Sequence, residues 1–213
     1  MVCVLMFDLD GTLVDTSVDL TEALNYAGAP YRLPKMTPAL TKAMVGEGVS
    51  RLVEKMLGEE WAHLKRPVLE SFLSYYSDHL SVFSRPYPGV IETIAGLAGI
   101  RKAVVSNKME GLSKRLLDDV GLGGYFDMII GSDSVGEEKP SPKPLLHVLR
   151  TLSCQPVEAL IIGDSSFDIE AGKAAGVRSI AVTYGFRAAT ELTAADFVID
   201  DIRQLPGLLQ GIG

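Results

Sequence analysis

The stretch Phe7-Asp8-Leu9-Asp10-Gly11-Thr12-Leu13-Val14 governs how the rest of the chain is read. It follows Val2-Cys3-Val4-Leu5-Met6, a short apolar run whose length and β-branched content suit a buried parallel strand. Side chains two apart on an extended segment point to the same side, so Asp8 and Asp10 face one way. Like charges that close repel, which makes the pair sensible chiefly around a cation. Asp10-Gly11 then turns the chain abruptly off the strand end. The stretch reads as a candidate magnesium site with one carboxylate free to act as a nucleophile. Asp and Gly are also ordinary turn residues, so the pair alone does not choose between chemistry and punctuation. A further acid, a fixed cation and donors for an anion are needed from elsewhere.

A chain of 213 residues has room for one sizeable domain, or for a domain carrying a smaller insertion. Hydrophobic content of 47% and charged content of 22% are ordinary for a soluble globular protein. The net charge of -7 argues against nucleic acid or an anionic membrane as the main partner. A small anionic substrate stays open, because local cations and a metal override the global field. The apolar start is too short for a signal peptide and ends in Asp8, and no window approaches a transmembrane helix, so a cytoplasmic location is expected. Cys3 and Cys154 form no spaced motif and are expected to be free, buried thiols. His63, His79 and His147 are scattered, with no metal-type partner at short spacing. Monomer and homodimer are both open.

Beyond Val14 the pattern is helical. Cap-type Asp15, Thr16 and Ser17 precede Leu20, Ala23, Leu24 and Ala27 at helical spacing, and Gly28 with Pro30 stops that run. Thr37-Pro38 opens a short helix through Met44, and Gly46-Glu47-Gly48 breaks it. Leu52, Val53, Met56 and Leu57 make the stripe of a third helix, and a longer one is expected over 59–82 with Pro67 near a kink. After Pro86-Tyr87-Pro88-Gly89 short apolar strands alternate with helices, at 103–105, 128–130, 160–162, 179–182 and 197–199. That alternation implies an α/β fold: a parallel-sheet, Rossmann-like core with helices on both faces, to which the first strand also belongs. The core is read as residues 1–14 and 86–213, and residues 15–85 as an inserted all-helical cap.

In open parallel sheets ligands sit beyond the carboxyl ends of the strands. The first strand leads to Asp8 and Asp10, and the next to Ser106-Asn107-Lys108. The third leads through Gly131-Ser132-Asp133 to Lys139-Pro140-Ser141-Pro142-Lys143, and the fourth to Gly163-Asp164-Ser165-Ser166-Phe167-Asp168. A strand-end serine alone is usually a helix cap. Carboxylates, a hydroxyl, a lysine and more carboxylates at successive strand ends are hard to explain as capping.

Asp8-x-Asp10-Gly-Thr-Leu-Val-Asp15, Ser106-Asn107, Lys139-Pro-x-Pro and Gly163-Asp164-Ser-x-x-Asp168 together resemble the haloacid dehalogenase superfamily, in its phosphatase branch. The helical insertion is similar to that family's small four-helix cap. Val45-Gly46-Glu47-Gly48, Pro86-Tyr87-Pro88-Gly89-Val90 and Val105-Ser106-Asn107-Lys108 most resemble phosphoglycolate phosphatases. The resemblance implies a magnesium-dependent phosphomonoester hydrolase working through an aspartyl-phosphate on a small phosphorylated metabolite. It implies Asp8 as nucleophile and Asp10 as general acid and base. It also implies magnesium on Asp8, Asp164 and the Asp10 backbone carbonyl, with Asp168 orienting a metal-bound water or the lysine. The phosphoryl group would meet Ser106, the Asn107 amide and the turn amides of Gly11 and Thr12, with Lys139 neutralising charge. Lys139 is preferred to Lys143 because it precedes the Pro-x-Pro in the strand-end loop, whereas Lys143 falls in the first turn of the next helix. Arg51, beside the Gly46-Glu47-Gly48 break, is the candidate hook for a substrate carboxylate. Cap hinges are expected near residues 15–17 and 84–86.

Other small phosphates, such as pyrophosphate, nucleotides or sugar phosphates, and a β-phosphoglucomutase-like transfer to sugar are the alternatives. A dehalogenase proper needs neither magnesium nor the second aspartate, so Asp10 and Asp164 speak against it. A scaffold that kept only the fold would be expected to lose one of the acids, and none is missing.

Overall fold

The computed structural model describes residues 2–212. Strand β1 (Val4–Phe7) is buried throughout and is followed by the short β2 (Val14–Asp15). Four helices come next: α1 (Ser17–Gly28), α2 (Pro38–Met44), α3 (Gly48–Leu57) and α4 (Lys65–Asp78). Strand β3 (Arg85–Pro86) returns the chain and pairs antiparallel with β2, Val14 opposite Pro86 and Asp15 opposite Arg85. The remainder alternates: α5 (Val90–Gly96), β4 (Arg101–Val105), α6 (Glu110–Asp119), β5 (Met128–Ile130), α7 (Lys143–Thr151) and β6 (Ala159–Gly163). It ends with α8 (Ser166–Ala175), β7 (Arg178–Val182), β8 (Phe197–Ile199) and α9 (Leu205–Ile212).

Six parallel strands form one sheet in the order β5-β4-β1-β6-β7-β8. Strand β1 lies inside it, with Val4 level with Arg101 on one side and Ala159 on the other. The chain winds one way from β1 through β4 and β5 and the other way through β6 to β8. The crevice at that reversal therefore opens just beyond Phe7. Alternate residues feed the two faces, as a pleated strand requires. Leu5 and Phe7 pack with Val90, Ile94, Leu116, Leu117 and Leu205, while Val4 and Met6 pack with Leu145, Val148, Ala171 and Ala175.

The insertion packs Leu24 and Ala27 of α1, Val53 and Leu57 of α3, and Val68 and Phe72 of α4 together, all fully buried or nearly so, in an apolar cluster continuous with one face of the sheet. Helix α2 is capped as its sequence suggests, the Thr37 hydroxyl accepting from the Leu40 N–H with Pro38 in the first turn. The long helix expected over 59–82 is corrected: α4 runs only over Lys65–Asp78, after a break at Gly58, where φ is 58°. Pro67 is then the third helical residue, where its missing N–H costs no intrahelical bond, and no kink is required. The expectation of free thiols is also corrected, because Cys3 and Cys154 form a disulfide. They are 151 residues apart in sequence but meet where the lead-in to β1 runs beside the turn before β6, with the Cys3 N–H donating to the Glu158 carbonyl at 2.7 Å. No helix among the described residues is long and apolar enough to cross a membrane.

Candidate active site

Asp8 sits one residue beyond β1, its N–H donating to the Ile162 carbonyl of β6 at 2.8 Å. Lys139 reaches it from the loop after β5: its Nζ lies 2.9 Å from Asp8 Oδ1 and 2.6 Å from Asp168 Oδ1. Asn107 fixes the backbone of that lysine from the end of β4. Its Oδ1 accepts from the Lys139 N–H at 2.9 Å and its Nδ2 donates to the Lys139 carbonyl at 2.7 Å. Asp168, in the first turn of α8, is fixed in turn by its capping box, Oδ2 accepting from the Ser165 hydroxyl at 2.7 Å and the Ser165 N–H at 3.2 Å. Asp164 Oδ2 accepts from the Phe186 N–H at 2.6 Å. Glycines make room for this acid: a Cβ on Gly11 (φ 87°) would lie 2.2 Å from Asp164 Oδ2, and one on Gly185 would lie 2.3 Å from its Cβ.

Oxygens of Asp8, Asp164 and Asp168 fall within 4.8 Å of one another. Both Asp168 oxygens are already spent on Lys139 and Ser165. Asp8 Oδ2 and Asp164 Oδ1 have no hydrogen-bond donor among the described residues, and the Asp10 carbonyl accepts nothing there either. Hard oxygen donors left over beside a cradle kept clear by Gly11 fit a small divalent cation such as magnesium. The electrostatics agree. Burial pushes the Asp8 carboxyl up to about 6, against Lys139 and helped by the carboxylates of Asp168 and Asp10. Asp164 is raised well above its ordinary value by burial and then by Asp8 and Asp168. Burial opposes the charge on Lys139, but Asp168 and Asp8 outweigh it and hold the ammonium more firmly protonated than an ordinary lysine.

Asp10 has a different set of partners. Thr16 donates to its Oδ1 at 2.6 Å, and Lys108 Nζ lies 3.0 Å from its Oδ2. Lys108 also donates to the Tyr76 hydroxyl of α4 at 2.9 Å, so this acid is tied to the helical insertion. Two further core side chains tie the insertion down beside the site. Asn107 Nδ2 donates to the Gly46 carbonyl at 2.8 Å, and Arg187 donates to the carbonyls of Lys42, at 2.7 Å, and Val45. Between the layers lies a cavity floored by Asp8, Asp10, Ser106, Lys139 and Asp164 and roofed by Val45, Val49, Leu52, Phe72 and Leu73.

The profile of the haloacid dehalogenase-like hydrolases matches residues 5–182. The chain belongs to that family. Among its relatives are the phosphoglycolate phosphatase of Aquifex aeolicus, 41% identical over 86% of this chain and 85% of the other, and that of Neisseria meningitidis, 39% identical over 97% and 92%. The crystal structure of a predicted phosphoglycolate phosphatase from Haemophilus somnus superposes with a TM-score of 0.92 at 29% identity, covering 98% of each chain.

In this haloacid dehalogenase-like hydrolase the residues singled out by sequence do not all arrive at one place. Asp8, Asp10, Ser106, Asn107, Lys139 and Asp164 line the cavity, with Asp168 directly behind Lys139. Lys143 stands outside, paired with Glu137. Gly11 and Thr12 are corrected as amide donors: their N–H groups are consumed within the turn, donating to Val14 at 2.9 Å and Leu9 at 3.3 Å. Near Asp8, the N–H groups of Leu9, Asp10 and Asn107 have no acceptor among the described residues. Arg51 is corrected as a carboxylate hook, because its side chain is 58% exposed, pairs with Glu47 and Glu54 and does not line the cavity. Its place in the first turns of α3 turns it toward acids at helical spacing. Lys108, Tyr76, Thr16 and Arg187 were not assigned roles from sequence. For Lys108 the signal was present, a cation at a strand end directly after Ser106-Asn107.

Proposed function

We propose that this hydrolase, a phosphatase by its family and relatives, acts on 2-phosphoglycolate with magnesium and through an aspartyl-phosphate on Asp8. The observation that carries the reading is the unequal treatment of the two acids. Asp8 is held by Lys139 and keeps one oxygen free, whereas Asp10 is held by Thr16 and by Lys108. Asp8 would attack phosphorus, and the bond to the leaving oxygen would break as Asp10 hands that oxygen a proton. Asp10 would then take a proton from the water that attacks the phosphorus of the aspartyl-phosphate, releasing phosphate and restoring Asp8. Ser106 and the free N–H groups of Leu9, Asp10 and Asn107 would bind the phosphoryl oxygens, and Lys139 would offset their charge. Magnesium, held by Asp8, Asp164 and the Asp10 carbonyl, would supply further positive charge at the phosphoryl group. Asp168 would act on Lys139 rather than on the phosphate.

Residues 15–85 would serve as the cap, moving against a core of residues 1–14 and 86–213 about the β2–β3 pair. Asp19 is built into that joint, its carboxylate accepting from the N–H groups of Phe83 and Ser84 at 2.7 to 3.1 Å and from the Ser84 hydroxyl at 2.6 Å. Closed, the apolar roof would keep bulk water from the aspartyl-phosphate until the attacking water is in place. The relatives named phosphoglycolate phosphatase, at up to 41% identity, support the substrate. Phosphate release measured with magnesium across 2-phosphoglycolate, pyrophosphate, nucleotides and sugar phosphates tests both parts. Asp8→Asn should lower turnover by about 10⁴-fold or more. Wild-type turnover in Asp8→Asn would break the mechanism, and 2-phosphoglycolate among the poorest substrates would break only the substrate assignment.

A further inference from the structure

Three cations line the cavity among the described residues: Lys108, Lys139 and Arg187. Lys139 lies between two carboxylates, those of Asp8 and Asp168, and Arg187 holds the backbone carbonyls of Lys42, in the last turn of α2, and of Val45. Lys108 differs. Its side chain is 6% exposed, and its ammonium touches Asp10 Oδ2 and the Tyr76 hydroxyl. An ammonium carries three N–H donors, so those two contacts leave one. The walls above it are apolar, from Leu52, Phe72, Leu73 and Leu112. A buried cation with a donor to spare in such walls is costly unless a further acceptor arrives.

We propose that Lys108 binds a carboxylate on the leaving group of the substrate and is the residue that selects 2-phosphoglycolate over neutral alkyl phosphates. The inference rests on the phosphoglycolate reading above. Its geometry follows from Asp10. That acid serves the leaving oxygen, and Lys108 Nζ lies 3.0 Å from it. In 2-phosphoglycolate one methylene joins the leaving oxygen to the carboxyl carbon, which puts the carboxylate oxygens about 3 Å from the leaving oxygen by ordinary bond lengths. An ammonium that touches the acid is therefore within reach of the carboxylate. Tyr76 holds the ammonium from the cap side, and the dry roof strengthens a charge-assisted bond made beneath it. Arg51 does not compete, since its guanidinium is paired with acids outside the cavity.

The test compares kcat/KM for 2-phosphoglycolate and ethyl phosphate in the wild type, Lys108→Gln and Lys108→Arg. Glutamine can still hydrogen-bond Asp10 and Tyr76 but carries no charge. The ratio of the two substrates should fall about 10- to 100-fold in Lys108→Gln and recover in part in Lys108→Arg. If Lys108 serves Asp10 alone, both substrates slow by the same factor and the unchanged ratio overturns the inference. A wild-type ratio near one is a separate result: it removes the phosphoglycolate reading and this inference with it. Should Lys108→Gln not fold, Lys108→Met in the Asp8→Asn background gives the comparison by calorimetric binding without turnover. There, equal affinity losses for the two ligands overturn the inference, and a loss confined to 2-phosphoglycolate supports it.

Discussion

The floor and the roof of the cavity lean on different kinds of bond. On the floor the charged groups are set chiefly by other side chains: Lys139 by Asp8 and Asp168, Asp168 by Ser165, and Asp10 by Thr16 and Lys108. At the roof, beside the Lys108–Tyr76 pair, core side chains grip backbone, Asn107 on the Gly46 carbonyl and Arg187 on the carbonyls of Lys42 and Val45. The first kind fixes charges that chemistry needs to within a few tenths of an ångström. The second lets a helical layer close on a loop of almost any sequence, because every residue offers a carbonyl. Floor substitutions should therefore act on turnover, and roof substitutions on how well the closed state is kept.

The largest contrast is expected on the floor. Lys139→Ala removes the only cation in contact with Asp8 among the described residues and leaves Asp168 buried without its partner, so kcat should fall about 10²- to 10³-fold. Lys143→Ala, on an exposed pair with Glu137, should stay within a factor of two of wild type. Steady-state kinetics on the two variants side by side decides the matter. Loss at 143 with normal turnover at 139 would reverse the assignment and remove the distinction between floor and surface.

At the roof, Arg187→Ala removes two bonds to the C-terminal end of α2 without touching the acids directly. The closed state should be less populated, raising KM about 5- to 10-fold with kcat lowered less. A fall in kcat as deep as that of Lys139→Ala would place Arg187 on the floor in function, and the comparison would fail there.

The same contrast explains what could be read from sequence. Strand positions were legible because each holds a short apolar run between polar or turn residues, and their order then put Asp8, Ser106, Lys139 and Asp164 at one edge. The floor acts through side chains, so residue type carried its signal. The roof acts through carbonyls, which have no residue signature. Arg51 is an arginine near the right loop, while the arginine that grips the backbone there is Arg187, five residues past the end of β7, where no acid marks the strand end. The turn amides failed for a related reason. Gly11 and Thr12 mark the turn, but the turn consumes their N–H groups, and of the free ones only that of Asn107 belongs to a residue the sequence had singled out as a donor. The Cys3–Cys154 pair lay beyond reach because only the sheet register brings residues that far apart together.

The smallest effect sharpens the floor's side of the comparison through stability. An ordinary aspartate titrates near 3.8, whereas burial raises Asp8 to about 6 in the folded chain. Between those values the folded state holds a proton that the unfolded state has released, so stability falls as pH rises through the window. For Asp8 alone the loss is on the order of 3 kcal/mol, and the raised Asp164 acts in the same direction. A divalent cation binds the ionised pair of the folded state and offsets that loss, but only where the carboxylates have given up their protons. Millimolar magnesium should therefore raise Tm by several degrees at pH 7.5, about 2–4 °C per kcal/mol recovered, and by little at pH 5. Asp8→Asn should flatten the metal-free pH dependence and shrink the magnesium effect together, since one buried carboxyl is behind both. An equal gain at the two pH values would mean that the cation sits elsewhere and that the floor acids are kept apart by Lys139 and Lys108 alone.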